Sequence, residues 1–224
     1  MAGEVLTGTT AAIDTESRNA PTAANSSFDT GAKGCRPTPE HLPARASRNF
    51  PMRRYLSETT IFEACESVHL EQVRALFREY TDELAADLCF QGFEQELASL
   101  PGKYSPPGGI LLLATVRGEP VGCGAVRPLF LEQQFADPEA TVCEMKRLYV
   151  RPDFRRKGIG RLIAERLVAF GRDAGYDRML LDTLDRLTPA LTMYQDLGFV
   201  EVPAYYSNPL PGVVYLGIDL KSKA

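Results

Sequence analysis

The 224-residue sequence contains no tryptophan and only two histidines, His41 and His69. So few imidazoles give little basis for a histidine-rich metal site, and no metal is expected. The five cysteines, at 35, 65, 89, 123 and 143, are odd in number and form no CxxC pair. Neither a disulfide framework nor a thiolate zinc site follows from that pattern. It fits reduced, mostly buried thiols in a cytoplasmic protein. No apolar run approaches the roughly 20 residues that span a bilayer, so no membrane partner is expected. The N-terminus carries Glu4 early and lacks the apolar core of a secretory signal. Charge of one sign is missing too. The 25 Lys and Arg against 29 Asp and Glu leave a net charge of -4, so bulk charge does not attract nucleic acid.

What is present is a globular composition, 44% hydrophobic and 24% charged, which excludes a wholly disordered chain. Residues 1–57 differ from the rest. Five prolines (21, 37, 39, 43, 51) lie among many Ala, Ser, Thr and Asn, and large apolar residues follow no period. Such a segment buries too little surface to offset its ordering entropy and reads as a disordered extension. A transit peptide is opposed by Glu4, Asp14, Glu16, Asp29 and Glu40. A second reading is a start at Met52, just before regular patterning begins.

Residues 58–224 read as one domain. Thr59 to Ala64 is β-rich. Ser67 is placed to cap a helix with Val68, Val73, Leu76, Phe77 and Tyr80 on its apolar face. A short helix follows over Phe93 to Leu100, and Pro106-Pro107-Gly108-Gly109 breaks the chain. Ile110 to Val116 is a continuous apolar run, as in a strand covered on both faces. Val121 to Val126 returns from a turn at 117–120, and Glu144 to Val150 is a third strand. Gly158 to Arg172 is helical, with Gly175 placed for a left-handed end. Met179 to Asp182 is a short strand. Thr188-Pro189 opens a helix that closes at Gly198. Phe199 to Val202 and Val213 to Leu220 are the last strands. The class is mixed α/β: six to seven strands flanked by about four helices.

The chemistry is concentrated in Glu144-Met-Lys-Arg-Leu-Tyr-Val-Arg-Pro-Asp-Phe-Arg-Arg-Lys-Gly-Ile-Gly-Arg161. A strand runs through a turn into a helix, with basic residues around two glycines at the helix start. A helix N-terminus has unpaired N–H groups and partial positive charge, and glycine lets an anion approach its backbone. The pattern is neither a Walker loop nor a full GxGxxG. From charge and glycine alone, a solvated basic helix start remains open. Nucleic-acid binding is less supported, because no aromatic stripe or second basic patch accompanies the segment.

Arg151-Pro-Asp-Phe-Arg-Arg-Lys-Gly-Ile-Gly160 resembles the acetyl-CoA pyrophosphate loop of the GNAT acetyltransferase superfamily. Leu191-Thr-Met-Tyr194-Gln-Asp-Leu-Gly198-Phe199 is similar to that family's late helix. Tyr205-Tyr-Ser-Asn208-Pro-Leu-Pro-Gly212 resembles the loop before its final strand. The resemblance spans about 58–224 and implies the family's central, mostly antiparallel sheet. It implies that Leu148, Tyr149 and Val150 pair through their backbone with the pantetheine arm, with Val150 N–H polarising the thioester carbonyl. Backbone groups of Arg156, Lys157, Gly158, Ile159, Gly160 and Arg161 would hold the pyrophosphate. The side chains of Arg155 and Arg156 would add charge there or stay in solvent.

The same resemblance makes Tyr194 the acid that protonates the leaving sulfur, against a core tyrosine on the face of Leu191 and Leu197. Glu144 becomes a general base acting through water, against a solvent-facing strand residue. A bulge near Tyr149 is implied, so Arg147 is left unassigned. Asp182 and Thr183 read as a strand-end turn or an acceptor border, Cys143 as structural and His69 as surface. The implied function is direct transfer of acetyl from acetyl-CoA, as cosubstrate, to a primary amine of a small molecule. The acceptor pocket is expected to be partly apolar, from Phe90, Phe93, Tyr104, Tyr205 and Tyr206, with Glu94, Glu96 and Glu144 attracting the amine. Alternatives are a protein lysine or N-terminal acetyltransferase, or a non-catalytic acyl-CoA-binding module. The expected state is a monomer or homodimer.

Overall fold

The computed structural model describes residues 56–84, 92–130 and 140–221. Almost all of the 1–57 extension lies outside them, as do Cys35, His41, Cys89 and Phe90. Leu56 and Ser57, at the end of the segment read as disordered, are helical instead. The strands are β1 (Thr59–Glu63), β2 (Ile110–Val116), β3 (Glu119–Leu129), β4 (Val142–Val150), β5 (Arg178–Leu184), β6 (Val200–Glu201) and β7 (Val213–Asp219). The helices used below are α1 (Ser67–Leu84), α2 (Phe93–Ser99), α3 (Ile159–Asp173) and α4 (Thr188–Asp196).

Seven strands form one sheet in the order β1-β2-β3-β4-β5-β7-β6. Every neighbouring pair is antiparallel except β4 and β5. The parallel pair exists because α3 carries the chain back across the sheet between them. Along β2, alternate residues enter opposite cores. Leu112, Ala114 and Val116 pack with Ile163 and Leu167 of α3, while Leu111 and Leu113 pack with Leu76 and Phe77 of α1. The unbroken apolar run is thus explained by a strand buried on both faces.

Close helix packing depends on a glycine in β3. A Cβ on Gly124 would stand 2.8 Å from Ile163 Cγ2 and 2.9 Å from Leu167 Cδ1, both in fully buried side chains of α3. Gly124→Val is expected to destabilise the fold by about 1–3 kcal/mol through overpacking, read as a lower urea midpoint with an unchanged slope.

Several boundaries differ from the sequence reading. Ser67 is the first helical residue rather than a cap. Val68 is 53% exposed, so the apolar face starts at Val73. β3 continues to Leu129 and β4 begins at Val142. β6 is only two residues long. Gly175 does take a left-handed φ of 83°, and its N–H bonds back to the Arg172 carbonyl. Among the described residues no helix is long and apolar enough to cross a membrane.

Candidate active site

β4 and β5 begin in register and then separate. Val142, Cys143 and Glu144 pair with Arg178, Met179 and Leu180, and the pairing ends there although both strands continue. Beyond Glu144, the β4 edge facing β5 has no strand beside it. β3 serves the other edge through to Val150. A buried edge of free backbone donors and acceptors is costly unless a ligand pairs with it.

The β4 bulge expected near Tyr149 is present and spans Arg147 and Leu148. Cys123 faces Tyr149 but Ala125 faces Lys146, so two β4 residues, Arg147 and Leu148, oppose the single Gly124 of β3, and Arg147 has a φ of 57°. Strict alternation along β4 would put Glu144, Lys146, Leu148 and Val150 on one face. The bulge breaks that set. Leu148 and Val150 join Met145 against the α3 core, while Tyr149 enters the α1 core.

The helix mouth lies at the end of the same strand. Gly158 caps α3 with a φ of 85°, and Arg156 is left-handed at 60°. No side chain caps α3 and no acid stands in its first turn. Left-handed residues at such a turn aim successive amides into an anion-binding concavity. A Cβ on Gly160 would meet Val150 Cγ2 at 3.7 Å and Met193 Sδ at 3.9 Å, ordinary contact distances. Leu56 Cδ2 lies 3.3 Å from the corresponding position on Gly158. An uncapped, glycine-entered helix start with local basic charge fits a diphosphate.

The side chains of the loop do not all face that mouth. Arg155 forms a bidentate pair with Glu83 of α1 at 2.6 Å and donates to the Val150 carbonyl at 2.7 Å. Four residues earlier on each partner, Arg151 grips Glu79 at 2.7 and 2.9 Å. Lys157 donates to the Asp153 carbonyl at 2.6 Å and lies over the Phe154 ring. Arg161 pairs with Asp196 of α4 at 3.0 Å. The Ile159 side chain is buried in the α3 core. Matched four-residue spacings on α1 and the turn pin the loop backbone.

Tyr194 lines a cavity of about 70 Å³ in the splay, together with Leu148, Met145, Ala190, Lys146 and Asp182. Its ring also packs edge-on against Phe199, at 5.7 Å between centroids. Tyr194 therefore belongs both to the core and to the cleft wall. Burial, with smaller effects from Tyr80 and Asp182, pushes its phenol well above the ordinary value. Tyr80 lines the same cavity, and burial raises it to about 12 despite Arg147 nearby. Both phenols keep their protons at neutral pH.

Glu144 is not solvent-facing. It is 1% exposed, accepts from Arg127 at 2.8 Å and Tyr205 at 2.9 Å, and lies 3.5 Å from Lys146. Lys146 is bonded to Asp182 at 2.9 Å. Asp182 also accepts from Tyr206 at 2.8 Å and Asn208 at 3.1 Å. Glu96 is held by Arg147 at 2.7 and 2.9 Å and by Tyr104 at 2.8 Å, so it offers no bare charge to an amine. Three cation–carboxylate pairs thus line the face that carries α1 and α2. Burying such charges without their partners would be prohibitive.

Sequence reasoning left Arg127, Lys146 and Arg147 unassigned. The available signal was charge inside otherwise apolar strands, and their partners come from distant segments. Asp182, read as a strand-end turn, sits two residues inside β5 and is largely buried. Cys143 is buried and its thiol is pushed up to about 12, which leaves it an inert core residue. His69 is half-buried against Phe62 rather than on the surface. Among the described residues no group of His, Cys, Asp or Glu is placed to hold a metal ion.

The Asp182 ion pair sets an acid limit. Burial opposes its ionisation, but the Lys146 ammonium and the hydrogen bonds from Lys146 and Tyr206 outweigh that and lower its pKa. A depressed carboxylate contributes stability that is full above its unfolded value of about 4 and fades as pH falls through the lower folded value. Asp182→Asn is expected to be less stable than the parent at pH 7. The gap should shrink in urea titrations carried to pH 3.

A splayed parallel pair beside an uncapped, glycine-entered helix belongs to acetyl-CoA-dependent acetyltransferases. Residues 68–199 match the Acetyltransferase (GNAT) family model, and the chain belongs to that family. It is 41% identical over 152 residues to an uncharacterized N-acetyltransferase of Schizosaccharomyces pombe, covering 67% of this chain and 88% of that one. It is 31% identical over 119 residues to N-acetylaspartate synthetase of Rattus norvegicus, covering 53% of this chain and 37% of that one. An acetyltransferase structure from Salmonella typhimurium with its cofactor acetyl-CoA superposes with a TM-score of 0.54 at 17% identity. That match covers 75% of this chain and 96% of the other.

Proposed function

We propose that the protein transfers the acetyl group of acetyl-CoA directly to a primary amine of a small molecule. The observation that carries this reading is the unpaired β4 edge that begins beside Glu144 and ends at the mouth of α3, with Tyr194 in the wall between. Acetyl-CoA supplies an activated acyl group. The amides at Arg156, Lys157, Gly158, Ile159, Gly160 and Arg161 bind its diphosphate. Leu148, Tyr149 and Val150 bind the pantetheine arm through their backbone. Val150 N–H polarises the thioester carbonyl, the kind of fixed dipole that supplies much of an enzyme's rate.

Tyr194 donates its phenolic proton to the departing sulfur. A phenol kept neutral by burial is already in the donating form. The amine's proton passes through water to the carboxylates flanking Lys146, with Glu144 as the base and Asp182 beside it. A small acceptor is supported by the modest size of the cleft cavity, about 70 Å³. The similarity to an N-acetylaspartate synthetase points the same way. The test is thiol release from acetyl-CoA across amines, amino acids and lysine peptides. Peptides turning over faster than every small amine would overturn the small-molecule reading.

A further inference from the structure

Arg147 is buried, strained and only partly used. Its side chain is 3% exposed, and its backbone takes a left-handed φ of 57° inside the β4 bulge. A bulge re-aims a side chain, and strained non-glycine backbone of this kind clusters at ligand sites. The guanidinium carries five N–H donors in a rigid fork. Nε and Nη2 are spent on Glu96 at 2.9 and 2.7 Å, and Nη1 makes no hydrogen bond among the described residues. Nη1 is not sealed in the core either. Among the described residues, His69 Nδ1 is the one enclosed side-chain polar atom that lacks a partner. Arg147 lines the Tyr194 cavity and Glu96 does not, so the unused edge opens toward the reacting centre.

The other polar groups of that cavity narrow its use. Lys146, Asp182 and Asn208 are bonded to one another and to Tyr206. Tyr80 makes no hydrogen bond among the described residues, and burial keeps its phenol protonated. Glu96 neutralises Arg147, and Asp182 neutralises Lys146. The wall therefore offers unused donors rather than unused charge.

We infer that Arg147 selects the acceptor: its Nη1 edge, with the Tyr80 hydroxyl as a second donor, takes a carbonyl or carboxylate oxygen standing near the amine to be acetylated. The inference rests on the acetyltransferase reading above and adds what must accompany the amine. A buried donor left unpaired is costly, so an acceptor lacking that oxygen is penalised once water is expelled. The guanidinium's charge is already met, so hydrogen bonding is the criterion. Carboxylates and carboxamides are both taken, and plain amines are disfavoured. Tyr194 and Arg147 line one cavity, which lets a single small molecule meet both.

The test is kcat/KM on the full chain with saturating acetyl-CoA, expressed per unprotonated amine. The probes are free amino acids, their carboxamides and their decarboxylated amines. The best amino acid or amide is expected to exceed its decarboxylated amine by about tenfold or more. Arg147→Lys keeps a cation for Glu96 but loses the second edge, and should cut that preference to about threefold or less. A merely structural role would lower all three series alike and leave the preference unchanged. A thermal melt reports whether the variant is folded. If it is not, the double variant Arg147→Gln with Glu96→Gln, which removes both charges together, replaces it. Plain amines that react as well as their oxygen-bearing parents, no turnover of any probe, or an undiminished preference in the folded variant would overturn the inference. Titrating acetyl-CoA alone keeps the two readings apart. Failure there removes the acetyltransferase reading, whereas acetyl-CoA binding without oxygen preference removes only the role of Arg147.

Discussion

Replacing Tyr194 by Phe is expected to lower kcat by about 100-fold or more while acetyl-CoA binds almost as before. The ring packs on Phe199 and fills the wall between Ala190 and Leu148, and the substitution keeps all of that packing. Only the hydroxyl is removed. The described residues make no hydrogen bond to it, so no buried partner is left unpaired. Thermal stability should therefore stay close to the parent's. A chain that binds acetyl-CoA without turnover shows no such loss. Stopped-time thiol release against acetyl-CoA titration separates the two. An unchanged kcat would remove Tyr194 from the chemistry and leave it the core residue its helical face suggests.

The second large effect concerns the mouth of α3. Gly160→Asp places a carboxylate in the first helical turn, where a Cβ makes only ordinary van der Waals contacts with Val150 and Met193. An acid there stabilises the helix by about 0.3–1 kcal/mol, so the melting temperature should hold or rise. The same charge faces the diphosphate. At a few ångströms and an effective dielectric near 20, repulsion of this kind weakens binding by about 100-fold. Affinity for acetyl-CoA should fall while an acetyl-pantetheine thioester, lacking the diphosphate, reacts as before. Gly160→Ala is the control, with a far smaller loss. Equal loss with both thioesters would mean that the substitution had disturbed the fold rather than the anion site.

These two positions were legible in the sequence for different reasons. The glycines at 158 and 160 stand where periodic apolar spacing begins, and backbone chemistry alone makes such a start an anion site. Tyr194 was legible only through its resemblance to a family helix, because Leu191, Tyr194 and Leu197 also read as a plain core face. Of the central strands, β2 was readable from its apolar run, which follows from burial on both sides. The ends of β3 and β4 were not. Arg127 and Pro128 look like a strand end, and their place in β3 depends on Glu144 across the sheet. Arg155 illustrates the same limit. Local charge placed it near the cosubstrate, and only the fold brings Glu83 to its guanidinium. The bulge at Arg147 belongs to this class too. Nothing in Lys-Arg-Leu-Tyr requires a left-handed arginine, and the bidentate hold of Glu96 comes from a different helix.

The paired Arg–Glu forks between α1 and the turn after β4 have a consequence for the order of events. One end of α1 borders the acceptor side, and its partners on the turn hold the Val150 carbonyl and the approach to α3. On the proposed reading, a diphosphate bound at the mouth of α3 is expected to steady α1 through these pairs. By reciprocity, an acceptor that firms up α1 tightens the grip on the nucleotide end by the same factor. Acetyl-CoA and the acceptor are then expected to tighten each other's binding without touching, which titrating one in the presence and absence of the other would show.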